Sequence, residues 1–144
     1  MSYRIYLDNC CFNRPYDNQT YPIIQLESEA KLFVQQEILR GKLELVWSFI
    51  LEYENSVNPY INRKKAIVTW RKVACLTVAV SDKIYELTEQ IMATGIKKKD
   101  ALHLACAIQA KCDFFLTTDK RLLNSRIENI TILNPLDFIK RWEV

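Results

Sequence analysis

Two aspartates directly follow predicted buried strands. Asp8 comes after Ile5-Tyr6-Leu7, and Asp119 comes after the aromatic and β-branched run Phe114-Phe115-Leu116-Thr117-Thr118. Short apolar runs of this composition are typical of strands that are buried on both faces. In an open parallel sheet, ligands bind beyond the carboxyl ends of the strands, so both carboxylates are candidates for chemistry at one edge of the sheet.

A third aspartate, Asp100, stands at the start of a predicted buried helix. From Ala101 to Ile108 only His103 is polar, and a helix that is apolar almost all round packs between other elements. Two simpler interpretations remain open at this point: Asp100 caps that helix, and Asp119 begins a turn.

Glu54 is the fourth candidate acid, with Glu52 as the alternative. The two glutamates are two residues apart and therefore lie on nearly opposite faces of one predicted helix. Glu54 interrupts an apolar stripe that includes Ile50 and Val57, whereas Glu52 has mostly polar neighbours such as Asn55. Because an acid on a buried stripe needs a compensating cation, we predict that Glu54 belongs to the site and that Glu52 is solvated.

Clustered carboxylates predict a metal-dependent reaction at phosphorus. Two of them about 4 Å apart repel by roughly 4 kcal/mol at an effective dielectric constant of about 20, so three or four together require a cation. Oxygen ligands favour a hard divalent ion, Mg²⁺ or Mn²⁺. Such an ion binds phosphate oxygens and lowers the pKa of a bound water, which points to phosphodiester hydrolysis. With one histidine and scattered cysteines, a zinc site is disfavoured.

Polar side chains beside the acids are candidate positioning groups. Thr117 and Thr118 can hydrogen-bond a ligand carboxylate or a water, although β propensity explains them nearly as well. Asn9 can orient its neighbour Asp8 in the same way. His103 lies one turn after Asp100 and could move a proton, but a packed, hydrogen-bonded histidine is favoured at a buried position, so we place it outside the catalytic set.

Cationic side chains near the predicted strand ends are candidates for contacts with a phosphate backbone. They are Arg14, Lys97, Lys98, Lys99, Lys120 and Arg121. A solvated charge run is the alternative for the three consecutive lysines. The net charge of +3 permits a nucleic-acid partner without requiring one.

Strand-like and helix-like segments alternate along the chain. Strands are predicted over 4–8, 43–47, 75–80, 114–118 and 130–133, a loop over 9–19, and helices over 22–40, 48–57, 59–74, 82–94 and 100–110 and from 135 onward. The helix that begins at Pro22 has apolar residues at helical spacing, which predicts that they form its core face: Ile23, Leu26, Ala30, Phe33, Val34 and Ile38. The alternation predicts an α/β fold, a three-layer α/β/α sandwich with a central parallel sheet.

Composition indicates a single globular domain over residues 1–144. Only two glycines and four prolines occur, so no linker is expected. No apolar run approaches the length of a membrane span or a signal peptide, and we expect a cytoplasmic protein without a membrane partner. The five cysteines form no Cys-x-x-Cys pair and are expected to be reduced and mostly buried.

Competing catalytic motifs do not occur in the sequence. With only Gly41 and Gly95, there is no glycine-rich phosphate loop, and Gly-x-Ser-x-Gly is missing too. A metal-dependent phosphatase would usually use an Asp-x-Asp pair, but Asp8 is followed by Asn9 and Cys10.

Four segments together resemble the PIN-domain nucleases. They are Ile5-Tyr6-Leu7-Asp8-Asn9, the helix start from Ser48 to Glu54, Lys99-Asp100-Ala101-Leu102-His103-Leu104-Ala105, and Leu116-Thr117-Thr118-Asp119. The resemblance implies an α/β/α fold and a metal-dependent ribonuclease site at Asp8, Glu54, Asp100 and Asp119. It also implies RNA as substrate and, as in many members, a homodimeric toxin that a small antitoxin protein inhibits. The alternative is a catalytically silent PIN-like module that binds RNA or protein.

Overall fold

A sheet of five parallel strands forms the centre of the structure, a computed structural model that describes residues 2–143. The strands are β1 (Tyr3–Leu7), β2 (Leu43–Ser48), β3 (Leu76–Val78), β4 (Phe114–Leu116) and β5 (Thr131–Leu133). Their order in the sheet is β3-β2-β1-β4-β5, and every neighbouring pair is parallel. Fully parallel sheets need helices on both faces, as the alternating segments predict.

Helices flank this sheet and connect its strands. They are α1 (Asn9–Asn13), α2 (Pro22–Leu39), α3 (Phe49–Ser56), α4 (Ile61–Val68), α5 (Trp70–Val73), α6 (Asp82–Met92), α7 (Lys98–Gln109), α8 (Lys120–Leu123) and α9 (Pro135–Glu143). Helix α2 packs on α9, and α6 packs on α7. This arrangement confirms the predicted three-layer α/β/α sandwich.

The direction of strand order reverses between β1 and β4. From β1 the chain adds β2 and β3 on one side, and it then returns to add β4 and β5 on the other side. Leu7 is paired with Leu116, and the Asp8 N–H donates to the Leu116 carbonyl at 2.9 Å. The residues that follow the two strands therefore meet at the carboxyl edge, where such sheets form their ligand crevice.

Apolar strand residues account for the position of β1 at the centre. Ile5, Tyr6 and Leu7 are fully buried, and the Tyr6 ring stacks on Phe115 with 5.3 Å between ring centroids. Helix α7 presents fully buried alanines, including Ala101 and Ala105, and so can lie close to its neighbours. The strong apolar patterns around both aspartates thus position the elements that carry them.

The predicted loop after β1 is instead helical at its start. Helix α1 begins at Asn9, and a 3₁₀ turn covers Arg14–Tyr16. The Asp8 carboxylate caps α1 by accepting the Asn9 N–H at 2.8 Å, and burial of Phe12 anchors the helix in the core. Asparagine and aspartate favour turns and helix caps alike, which is why the composition of this segment was ambiguous.

The buried face of α2 differs from the prediction. Ile23 and Leu26 are 56% and 48% exposed, whereas Glu27 and Lys31 are buried. Glu27 is an ion-pair partner of Arg14, with 3.2 Å between Oε1 and Nε. The difference is confined to the start of the helix, because Ala30, Val34 and Ile38 are buried as predicted.

Other differences concern element ends. The helix predicted over 59–74 is divided into α4 and α5 at Thr69, whose hydroxyl donates to the Ala66 carbonyl at 2.6 Å. Gly41 follows α2 with a φ of +78°, as expected for a residue that ends a helix. Two strands are shorter than predicted by two or more residues: β3 covers Leu76–Val78 of the predicted 75–80, and β4 covers Phe114–Leu116 of the predicted 114–118. Strand β2 instead extends one residue further than predicted, to Ser48.

All five cysteines are free, and Cys75 is the exposed member. Over residues 2–143, no helix combines the length and the apolar character that crossing a bilayer requires.

Candidate active site

Asp8 is a buried carboxylate at the carboxyl end of β1, with 6% of its surface exposed. Its Oδ2 accepts the Thr117 hydroxyl at 2.8 Å, and its Oδ1 accepts the Asn9 N–H at 2.8 Å. The Cys10 thiol lies 3.4 Å from Oδ2. The carboxylate is therefore fixed in orientation by donors from β1's own continuation and from the end of β4.

Thr117 and Thr118 differ in how they reach the site. The Thr117 hydroxyl donates to Asp8 and accepts the Asp119 N–H at 3.1 Å, so it joins the two strand ends. Thr118 contributes its backbone N–H, which donates to Cys10 Sγ at 3.4 Å. Of the two predicted positioning threonines, Thr117 is the one whose side chain contacts a candidate acid.

Asp119 follows β4 and caps α8. Its Oδ1 accepts the Arg121 N–H at 2.8 Å. This local role was one of the two interpretations that the sequence left open. Asp119 also lines a cavity of about 300 Å³ that Asp100 lines too, together with Lys97 and Arg121. A capping bond and a place in the site are thus compatible for this residue.

Asp100 occupies the first turn of α7 but does not cap it. The N-cap is Lys97, which makes no capping hydrogen bond through its side chain. Burial raises the pKa of the Asp100 carboxyl, and the negative charges of Asp8, Asp119 and Glu54 raise this pKa further. The other three candidate acids are therefore close enough to influence the ionisation of Asp100.

Glu54 lies on α3, whose N-cap Ser48 accepts the Leu51 N–H through its hydroxyl at 3.2 Å. One Glu54 oxygen is hydrogen-bonded to His103 Nε2, and the other accepts from Asn9 Nδ2 at 3.1 Å. Its side chain is 13% exposed. Glu52 is 38% exposed and pairs with Arg71 outside the site.

The stripe from which we predicted Glu54 is only partly apolar and buried. Val57 is 62% exposed, while Asn55 is 2% exposed and donates through Nδ2 to the Lys64 carbonyl at 2.9 Å. Short helices bury whichever residues their neighbours cover, and here α4 covers Asn55. The position of Glu54 agrees with the prediction, although two of the neighbours used to derive it do not.

His103 is buried and hydrogen-bonded, with 1% of its surface exposed. Its Nδ1 lies 2.6 Å from Tyr6 Oη, which is 2.6 Å from Ser48 Oγ, and its Nε2 is 4.0 Å from Asp8 Oδ1. Sequence reasoning predicted the packed histidine but missed its contact with Glu54. The only local signal was its position one turn after Asp100.

Asn9 also acts differently from the prediction. Its backbone N–H, and not its side chain, holds Asp8, while the side chain donates to Glu54. Asn9 thus connects two acids that lie 46 positions apart in the chain.

The donor chemistry of this site fits a hard divalent cation. All four acids offer oxygen ligands, and they share an excess of negative charge at one edge of the sheet. Within residues 2–143, no group of three or more His, Cys, Asp or Glu side chains is arranged closely enough to hold a metal ion. Asp8, Glu54 and Asp119 accept hydrogen bonds from protein donors instead.

The predicted cationic contacts divide into two groups. Exposed residues surround the acids: Lys97, Lys98, Lys99, Lys120 and Arg121. Arg14 is engaged in ion pairs with Asp17, at 3.0 Å, and with Glu27. Its guanidinium is therefore committed to protein carboxylates, which weakens its candidacy as a phosphate ligand.

A second cavity, of about 310 Å³, lies on the Glu54 side of the site. Asn9, Tyr60, Arg63 and Lys99 are among the residues that line it. Sequence reasoning did not single out Tyr60 or Arg63, because their separation from the acids in the chain hides this proximity.

Comparisons with known proteins agree with this architecture. The family model described as PIN domain matches residues 5–127. Fourteen chains of solved structures match significantly. One is the crystal structure of VapBC2 from Rickettsia felis bound to a DNA fragment from their promoter. It is 17% identical with a TM-score of 0.56, and the match covers 91% of this chain and 98% of that chain. No curated protein matches significantly. At 17% identity, the structural likeness is one of fold.

Proposed function

This chain belongs to the PIN-domain family, and on that premise we propose that it is an endoribonuclease that depends on Mg²⁺ or Mn²⁺. PIN domains are generally nucleases. The RNA substrate and the dependence on a hard divalent ion are what we propose beyond the family's general activity. Asp8, Glu54, Asp100 and Asp119 are the proposed catalytic acids and metal ligands.

One observation supports the proposal: the four acids lie around the carboxyl ends of β1 and β4, where Asp100 and Asp119 line one cavity and Asn9 contacts both Asp8 and Glu54. The raised pKa of Asp100, caused by burial and then by the charges of its acidic neighbours, reflects this proximity. Repulsion of this kind is tolerated where a cation offsets it.

The neighbouring side chains hold these acids in place. Thr117 and the Asn9 N–H orient Asp8, whereas His103 and the Asn9 side chain orient Glu54. A bound divalent ion supplies a water of lowered pKa and neutralises charge on the scissile phosphate. The acids would hold that ion, and the hydrogen bonds from their neighbours would keep their carboxylates oriented.

Exposed cations beside the acids are suited to the RNA backbone. Lys97 and Arg121 line the cavity of Asp100 and Asp119, and Lys99 lines the cavity beside Glu54. Positive side chains flanking the acids attract phosphates without recognising sequence. We propose that they position the strand across the sheet edge.

Cleavage of end-labelled RNA by the purified protein tests this function. We expect cleavage with Mg²⁺ or Mn²⁺, its loss in EDTA, and its recovery when metal is returned. Cleavage at full rate in EDTA would contradict the role of the metal. Absence of cleavage with either ion, by protein that still binds RNA, would favour the catalytically silent PIN-like module instead.

We further propose that the protein acts in the cytoplasm as the toxin of a toxin-antitoxin pair. The fold likeness to VapBC2 from Rickettsia felis supports this, and the exposed Ile23 and Leu26 on α2 offer apolar surface for a protein partner. Expression with and without a small protein encoded beside this gene tests it. We expect the protein to arrest growth when it is expressed alone and the small protein to relieve this arrest. We also propose that the toxin is a homodimer, which sedimentation of the purified protein tests.

A further inference from the structure

Two exposed tyrosines enclose an arginine near the candidate site. The Arg63 guanidinium lies 4.0 Å from the centroid of the Tyr60 ring and 4.9 Å from that of Tyr16. The tyrosines are 56% and 43% exposed. We call these three residues the tyrosine-arginine platform, because they present flat, partly uncovered surfaces to solvent.

The platform lies in a cleft that continues to the acids. A cavity of about 640 Å³ is lined by all three platform residues and by Pro59. The cavity beside Glu54 shares Pro59, Tyr60 and Arg63 with it and is lined by Glu54 as well. A chain that lies along this cleft therefore passes from the platform directly to one of the proposed catalytic acids.

The charge of the cleft favours a polyanion. Among the described residues, Arg63 forms no ion pair with a carboxylate, in contrast to Arg14 and Arg71. Lys99 contributes a second cation to the wall nearest Glu54. Positive charge that no protein acid neutralises is available to a phosphate.

We propose that the tyrosine-arginine platform binds one unpaired nucleobase of single-stranded RNA, while an adjoining phosphate lies near Lys99 and the acids. Exposed aromatic rings and guanidinium planes are the surfaces on which unstacked bases bind. The proposal rests on the proposed function for its class of substrate. It adds a place on this chain, the tyrosine-arginine platform, where one base of that substrate is held.

A protein segment is the competing occupant, because Val57 and Ile61 are also exposed beside the cleft. The guanidinium between two rings, which pairs with no carboxylate, favours the nucleic acid. A base can stack on the flat surfaces of the platform, and a phosphate can bind its positive charge. A protein segment that packed only on Val57 and Ile61 would use neither the flat surfaces nor the charge.

Binding of short single-stranded RNA that carries 2-aminopurine at one position tests the proposal. We would use the Asp100→Asn protein in EDTA, where cleavage does not interfere, and move the fluorescent base along the strand. Stacking quenches 2-aminopurine, so one position should be quenched on binding. Tyr60→Phe should keep this quenching, whereas Tyr60→Leu should abolish it and weaken binding by about 10-fold.

Tyr85→Leu is the matched control, because Tyr85 is 46% exposed on α6, apart from the cleft. Arg63→Gln is a second variant that should also weaken binding. Quenching and affinity that Tyr60→Leu leaves unchanged would overturn the proposal, as would a complete lack of RNA binding. An effect of Tyr60→Leu on self-association or antitoxin binding alone would also overturn it, by assigning the cleft to a protein.

The two proposals fail in distinguishable ways. RNA cleavage that Tyr60→Leu does not affect would support the proposed nuclease function and contradict base binding by the platform. Quenching that depends on Tyr60, without cleavage under any metal condition, would support base binding and contradict the nuclease function.

Discussion

His103 connects the Glu54 carboxylate to the buried core through opposite edges of its imidazole. Burial raises the pKa of Tyr6 well above its ordinary value, so its hydroxyl stays protonated. In the tautomer that carries the imidazole proton on Nε2, Ser48 donates to Tyr6, Tyr6 donates to His103 Nδ1, and His103 Nε2 donates to Glu54. Every group in this series of hydrogen bonds then has a partner, and the buried residues Ser48, Tyr6 and His103 fix the orientation of the Glu54 carboxylate.

His103→Ala should lower the cleavage rate by about 10- to 100-fold, the usual effect of removing a group that orients a metal ligand. A single-turnover cleavage assay measures this. Thr88→Val is the control, because Thr88 is also buried and donates to the Ile84 carbonyl at 2.7 Å on another helix. An equal loss in both variants would indicate general destabilisation instead.

Glu54→Gln should remove most of the activity, and Glu52→Gln little of it. Glu54 contacts Asn9 and His103, whereas Glu52 pairs with the exposed Arg71. Cleavage by the two folded variants, compared at the same metal concentration, tests the assignment. The opposite ranking would place the fourth acid at Glu52.

Asp100→Asn should abolish cleavage yet raise the melting temperature in EDTA. The pKa of Asp100 is raised in the folded protein, so its ionised form destabilises the fold at every pH above that pKa. The stability advantage of the variant should therefore grow as pH rises from the ordinary aspartate pKa and level off above the folded-state pKa.

The control for this variant is Asp82→Asn, which changes an aspartate in the first turn of α6. There the charge favours the helix dipole, so its removal should cost about 0.3–1 kcal/mol. A loss of stability in both variants would assign Asp100 a role in its helix alone.

Lys31→Met should stabilise the protein at pH 7 by about 3 kcal/mol, the equivalent of the lysine's pKa shift. Lys31 is buried, with Nζ 5.6 Å from the Phe12 ring centroid, and burial lowers its pKa to about 8. Below pH 8 the folded state bears the full cost of this charge. Between about pH 8 and the ordinary lysine pKa, the unfolded chain binds more protons, so the wild type regains stability.

Urea denaturation at several pH values measures this difference. The gain from Lys31→Met should shrink steadily above pH 8. Lys83→Met, at an exposed position on α6, should show no such trend. A pH-independent gain would mean that improved packing, and not removal of a buried charge, stabilises the variant.

Local patterns together with one topological rule were enough to predict where Asp8 and Asp119 meet. Each follows a short apolar run, and parallel strands bring their carboxyl ends to one edge. The ends of elements were less predictable. Asn9 begins a helix because Asp8 caps it and Phe12 is buried, and neither fact is visible in the turn-forming composition of that segment.

Contacts between distant segments set the limit of prediction for the rest of the site. His103 meets Glu54 because α7 packs beside α3. On α2, Ile23 is exposed, whereas Glu27, which pairs with Arg14, is buried. Helical spacing identifies an apolar face but not the neighbour that covers it. The prediction that Glu54 belongs to the site rested partly on Val57, which proved to be exposed.

The position of β4 in the chain has a consequence for synthesis of the protein on the ribosome. The first three strands can emerge and pair while the segment that carries Thr117 and Asp119 is still untranslated. Without it Asp8 lacks its threonine donor, and the last of the four acids is missing. The nascent chain therefore cannot bring the four acids together until Asp119 has been made, so the proposed ribonuclease would stay inert until then beside the messenger RNA that encodes it.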